Sequence, residues 1–93
     1  RIVLSEGYYD NTINKFKYPI TILGCYCNRT IINNGLNFEI NNPFKHLICL
    51  YDLGITNNDL YESGISNRGN SEIIISDCKI FDCEGFGLRC NKD

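Results

Sequence analysis

The residues best suited to chemistry are Asp52, Asp77 and Asp82, with Lys79 and Arg89 near them late in the chain. Carboxylates gathered beside a basic side chain are what calcium-assisted proton abstraction next to a substrate carboxylate requires. The aspartates would be the metal ligands, and Lys79 and Arg89 the catalytic pair. That chemistry demands that Asp77, Asp82, Lys79 and Arg89 converge on one outward face. A simpler reading competes with it and is the one we favour. Asp52 and Asp77 recur at turn positions, where Asp and Asn tolerate left-handed backbone angles, and their carboxylates then face water. The remaining acids, among them Asp59, Glu62, Glu72 and Glu84, are scattered, and no acid pair suited to glycoside hydrolysis stands out.

Binding asks less of a sequence than catalysis. Tyr51, Tyr61 and Phe86, with Tyr8, Tyr9 and Tyr26, could offer aromatic faces to sugar rings, which predicts exposed rings aligned along one surface. Asn28-Arg29-Thr30 is an N-glycosylation acceptor, usable if the chain enters a eukaryotic secretory route.

The six cysteines, at 25, 27, 49, 78, 83 and 90, are even in number and compatible with disulfides and an oxidising compartment; we expect at least one bridge. The alternative is that small thiols fill apolar positions. Cys25 and Cys27 point the same way on a strand, which does not suit a mutual bridge, and no CxxC pair suggests zinc.

What must position these groups is a set of short strands. Ala is absent and Pro occurs only at 19 and 43, while Ile, Val, Thr, Tyr and Phe fall in bursts between Asn and Gly. No window shows helical periodicity over three turns, so almost no helix is expected. The bursts repeat. Ile2-Val3-Leu4, Ile20-Thr21-Ile22, Ile48-Cys49-Leu50 and Ile73-Ile74-Ile75 align in one column, spaced 18, 28 and 25 residues apart from Leu4 onward. Segment 48–55 also lies over segment 73–80, and Gly64-Ile65-Ser66 over Gly87-Leu88-Arg89.

Repeats of this length signal stacked coils, three strands to each. A strand of three to five residues cannot bury an apolar side alone, but copies stacked about 4.8 Å apart form parallel sheets with continuous inward columns. The expected columns are Ile22–Leu50–Ile75, Ile32–Ile55–Ile80 and Ile40–Ile65–Leu88. Corners fall at Asn33-Asn34-Gly35, Asn57-Asn58-Asp59 and Asn67-Arg68-Gly69-Asn70. The expected architecture is therefore an all-β, right-handed parallel β-helix of three to four coils. Residues 1–93 form one segment, and both ends read as cuts from a longer solenoid. A small disulfide-rich β-sandwich is the competing fold; the lack of long alternating strands around Asn34-Gly35 counts against it.

Gly7-Tyr8-Tyr9-Asp10-Asn11-Thr12-Ile13, followed by Pro19-Ile20-Thr21-Ile22-Leu23-Gly24, resembles the opening coils of pectin-lyase-like β-helix proteins. Ile73-Ile74-Ile75-Ser76-Asp77-Cys78-Lys79-Ile80 is similar to the generic repeat of that superfamily. The resemblance implies a fold, not a reaction, since the group spans polysaccharide lyases, polygalacturonases, tailspikes, adhesins and surface proteins. It leads us to expect a secreted or surface scaffold that recognises carbohydrate or another surface. A polysaccharide lyase is the second reading, and a spacer without any site the third. No cofactor is expected beyond calcium in the lyase case. A net charge of -2 gives no reason to expect nucleic acid, and no apolar run is long enough for a membrane-spanning helix.

Overall fold

The computed structural model describes residues 1–41, 47–58 and 62–90. Eleven strands and no helix occur among these residues: β1 (Ile2–Val3), β2 (Gly7–Asp10), β3 (Thr21–Leu23), β4 (Thr30–Asn33), β5 (Leu36–Phe38), β6 (Leu47–Tyr51), β7 (Gly54–Asn57), β8 (Ile65–Asn67), β9 (Glu72–Ser76), β10 (Lys79–Cys83) and β11 (Leu88–Cys90). All pairings between them are parallel. They build sheet A in the order β1-β3-β6-β9, sheet B in the order β2-β4-β7-β10 and sheet C in the order β5-β8-β11. The chain visits A, B and C in turn, which makes it a β-solenoid of about 3 turns. No helix among the described residues is long and apolar enough to cross a membrane.

Stacking buries what single strands cannot. Ile22, Leu50 and Ile75 share one column, as the spacing predicts, and Ile32, Ile55 and Ile80 share a second. Ile48, Leu50, Leu53, Ile55 and Ile65 are fully buried in the middle coils. Burying a side chain of this size stabilises by about 1.5–3 kcal/mol, so these contacts carry the fold. Phe16 and Phe38 extend the core, their ring centroids 5.2 Å apart.

Two registers differ from expectation. Ile2, not Leu4, lies over Ile22. In the third column Leu36, not Ile40, lies beside Ile65 and Leu88. Both offsets are even in number, so inward residues stay inward and the apolar pattern alone cannot detect the slip. Ile40 is instead buried beyond the end of β5, where its carbonyl accepts a hydrogen bond from the Asn70 amide at 2.9 Å.

The corners explain the polar residues. Asp52 (φ 56°) and Asp77 (φ 55°) are left-handed between sheets A and B, and Asn34 (φ 69°) and Gly35 (φ 63°) between B and C. Asp82 (φ 49°) falls where β10 bulges, so that Ile80 pairs Ile55 but Cys83 pairs Asn57. Gly24 is required by close approach, since a Cβ there would lie 2.3 Å from the Asp52 carbonyl oxygen. Thr30 ties three segments together. Fully buried, its hydroxyl accepts from the Cys25 amide at 2.9 Å and donates to the Ser5 carbonyl at 3.1 Å. Asp59, in one expected corner, lies outside the described residues.

Candidate functional site

Sheet C presents its outward residues as a polar ladder. Leu36, Ile65 and Leu88 point inward, so Asn37, Ser66 and Arg89, one residue further on, form an outward column in register. Walls rise on either side of it. Asn11, Thr12, Ile13 and Asn14 follow β2 of the first coil, Asn57 ends β7, and Glu62 and Ser63 precede β8. The result is an open groove of about 620 Å³, within the range of small-ligand sites.

Local hydrogen bonds hold these walls. The Asn11 side-chain amide donates to the Gly35 carbonyl at 2.8 Å, and its Oδ1 accepts from the Ile13 amide at 3.0 Å, turning the chain over the ladder. The Asn57 side-chain amide donates to the Ser63 carbonyl at 2.9 Å, fixing the opposite wall. Gly35 lets the walls meet, because a Cβ there would sit 2.6 Å from the Ser63 carbonyl oxygen.

The ladder also contains an unmet need. Asn37 Oδ1 is buried and accepts no hydrogen bond among the described residues. An unpaired buried acceptor costs about 1–3 kcal/mol. Arg68, Arg89 and Glu62 line the same groove. Nearby, Lys15 and Glu39 form an ion pair at 2.9 Å. The Lys15 ammonium, by hydrogen bond and charge, holds the Glu39 carboxyl below its ordinary range.

Of the candidate residues named from the sequence that are described, Arg89 alone lines this groove. Its guanidinium lies 5.8 Å from the Phe86 ring centroid. Lys79 opens β10, with its ammonium 5.4 Å from the Phe81 ring. Asp52 and Asp77 occupy the A–B corner, and Asp82 the bulge in β10. Of the four residues expected to converge, Asp77 stands at the A–B corner, Lys79 and Asp82 share β10 of sheet B, and Arg89 is on β11 of sheet C. No group of three or more His, Cys, Asp or Glu among the described residues is arranged to hold a metal ion.

The exposed aromatic residues come from several elements. Tyr8 is on β2, Tyr18 and Tyr26 in connections and Phe86 just before β11, all exposed but on separate elements. Tyr51 ends β6, half-buried, where hydrogen bonding and charge from Cys49 raise its pKa. Tyr61 lies outside the described residues. Asn28 is exposed in the turn before β4, at a corner as expected. All six cysteines are free thiols, which corrects the expectation of a bridge. Burial pushes the Cys78 thiol above its usual pKa.

Sequence reasoning missed Asn37, Ser66 and Arg68. With Ile40 placed in the third column, the outward position one residue after Leu36 was hidden. The signal was present in the recurring apolar-polar step Leu36-Asn37, Ile65-Ser66 and Leu88-Arg89. Compared with known proteins, the chain matches no family model, no curated protein and no solved structure.

Proposed function

We propose that this chain is a β-solenoid segment of a pectin-lyase-like protein, secreted or displayed at a cell surface, whose sheet C groove binds carbohydrate. The reading rests on the outward ladder Asn37–Ser66–Arg89, set between two polar walls. Amide, hydroxyl and guanidinium groups in register match the closely spaced donors and acceptors of a sugar chain. Asn37 lines the groove and brings its amide to the sugar chain. The triplet Asn28-Arg29-Thr30 supports a secretory location, and the strand repeat supports the pectin-lyase-like kinship.

The test is a nuclear magnetic resonance titration of the chain with a panel of neutral and acidic oligosaccharides. Shifts should concentrate on Asn37, Ser66 and Arg89. Asn37→Ala and Arg89→Ala should each weaken binding about tenfold, the loss of a hydrogen bond worth about 1.4 kcal/mol. Tyr26→Ala, remote from the groove, should bind as the unsubstituted chain does. Failure of every oligosaccharide to bind, or binding indifferent to both groove substitutions, overturns the reading.

A further inference from the structure

The outward face of sheet C holds more than its three-residue ladder. Phe16 bridges Phe38 as one further rung, and both rings belong to the core, so Lys15 and Lys17 flank that rung on the outward side, beside Asn37 and Glu39. Lys15, Asn37, Ser66 and Arg89 thus form one outward column, and Lys17, Glu39 and Arg68 a second, two residues further along each strand. The Arg68 amide donates to the Phe38 carbonyl at 2.9 Å, which keeps Arg68 in the ladder beyond the end of β8. The charges of Lys15, Lys17 and Arg68 all help to hold the Glu39 carboxyl below its ordinary range, as three cations around one acid must.

The face is cationic on a chain that is not. Four of the nine basic residues in the sequence stand on it, against Glu39 and, in the groove wall, Glu62, out of eleven acids. On a molecule of net charge -2 this surplus is a matter of placement, not of composition. Lys15 is engaged by Glu39 at 2.9 Å, whereas Arg68 and Arg89, both exposed and lining the groove, are in no ion pair among the described residues. Ser66 adjoins both arginines: it pairs Arg89 across the rungs and precedes Arg68 by two residues on the same side. A rung of about 4.8 Å and a two-residue step of about 6.6 Å set the two arginines roughly 8 Å apart at Cα, within reach of one shared anion. Strand alternation and stacking fix this arrangement, so a strand added beyond β11 would leave the face as it is.

We infer that the sugar chain bound in this groove carries a sulfate or phosphate ester, held between Arg68 and Arg89 with the Ser66 hydroxyl as a third donor. The inference rests on the proposed carbohydrate role and narrows it to one class of ligand. The number of donors selects the anion. A carboxylate has two oxygens, which one guanidinium fork occupies alone. A sulfate or phosphate ester presents three free oxygens, enough for two guanidiniums and a hydroxyl together. An anion seated there also relieves the repulsion between two like charges on neighbouring rungs. Nucleic acid offers the same phosphate group, but no aromatic ring lines the groove among the described residues, so a base would find nothing to stack on. The Asn, Thr and Ser side chains that do line it match sugar hydroxyls.

Isothermal titration of the chain with a panel of neutral trisaccharides, each alongside its sulfated, phosphorylated and uronic acid forms, tests this inference. The sulfated or the phosphorylated form should bind at least tenfold more tightly than both the neutral and the uronic acid forms, and the tighter of the two identifies the ester. Arg68→Gln should lower the ratio of ester to neutral affinity at least tenfold, and Arg68→Lys, which keeps the charge, should recover part of it. Arg89→Gln is read in the same way, so the result does not hang on one variant, and circular dichroism checks that each is folded. Lys79→Gln removes a cation from sheet B and should leave the ratio unchanged. Esters that bind no more tightly than the neutral forms overturn this inference and leave the carbohydrate reading standing, whereas binding of no form at all overturns both. A uronic acid form as tight as the esters overturns the choice of anion, and a ratio that survives both glutamine substitutions overturns its assignment to this pair. A single-stranded oligonucleotide that binds more tightly than every sugar overturns the proposal in favour of nucleic acid.

Discussion

Asp52 and Asp77 stand on consecutive rungs of one corner, each in the left-handed region, at φ 56° and 55°. Their neighbours Tyr51 and Ser76 are paired across the rungs, and the Asp52 amide donates to the Ser76 carbonyl at 3.1 Å. The two aspartates thus serve the backbone in the same way, whatever their carboxylates do.

A corner role and a metal role make opposite demands on these side chains. Asp52→Gly and Asp77→Gly should fold with unchanged or slightly raised Tm, because glycine adopts the left-handed angle freely. Asp52→Val should lose about 1–2 kcal/mol, the cost of a branched residue there. Calcium should leave the Tm of the unsubstituted chain where it is. A calcium-dependent rise that disappears in Asp77→Gly would return the aspartates to the role of ligands.

The Lys15–Glu39 pair gives stability a definite pH dependence. The Glu39 pKa is lowered in the folded chain, mainly by its hydrogen bond and charge interaction with Lys15. The unfolded chain therefore takes up the proton first as pH falls. The contribution of this pair is present above the ordinary carboxylate range and is lost as pH drops through the lowered folded value. Carbon-detected titration of the Glu39 side chain should show a depressed midpoint that moves up in Lys15→Met. An unmoved midpoint would mean that the pair does not form in solution.

Six free thiols make a countable forecast. Ellman's reagent applied to the denatured, unreduced chain should detect all six. In the native chain, alkylation should reach exposed Cys25 and Cys90 first and Cys78 last, since burial raises the Cys78 pKa and lowers its thiolate fraction near neutrality. Two thiols missing from the count would reveal a bridge.

The fold was legible because stacking imposes a strict inward-outward alternation, and Ile48-Cys49-Leu50 and Ile73-Ile74-Ile75 carry it with few interruptions. Register was less legible wherever an alternative differed by an even number of residues, as with Leu36 and Ile40 or Ile2 and Leu4. Such a slip leaves every residue on its proper side, and only backbone pairing resolves it. The groove was hidden for a related reason. Asn37 and Ser66 are ordinary surface types, and what distinguishes them is their alignment with Arg89 across coils. The turn aspartates, by contrast, were readable from residue type alone, because few side chains other than Asp, Asn and Gly accept a left-handed angle.

Thr30 links the fold to the life history of the chain. Its hydroxyl is enclosed and engaged by Cys25 and Ser5, while Asn28, two residues earlier, stays in the open. An enzyme that recognises the triplet through both side chains would find only half of it on the finished protein. Sugar transfer to Asn28 would thus be a race against the closing of the second coil, decided while the polypeptide is still emerging. The Asn28-Arg29-Thr30 signal is legible only to machinery that meets the chain before Thr30 is shut away.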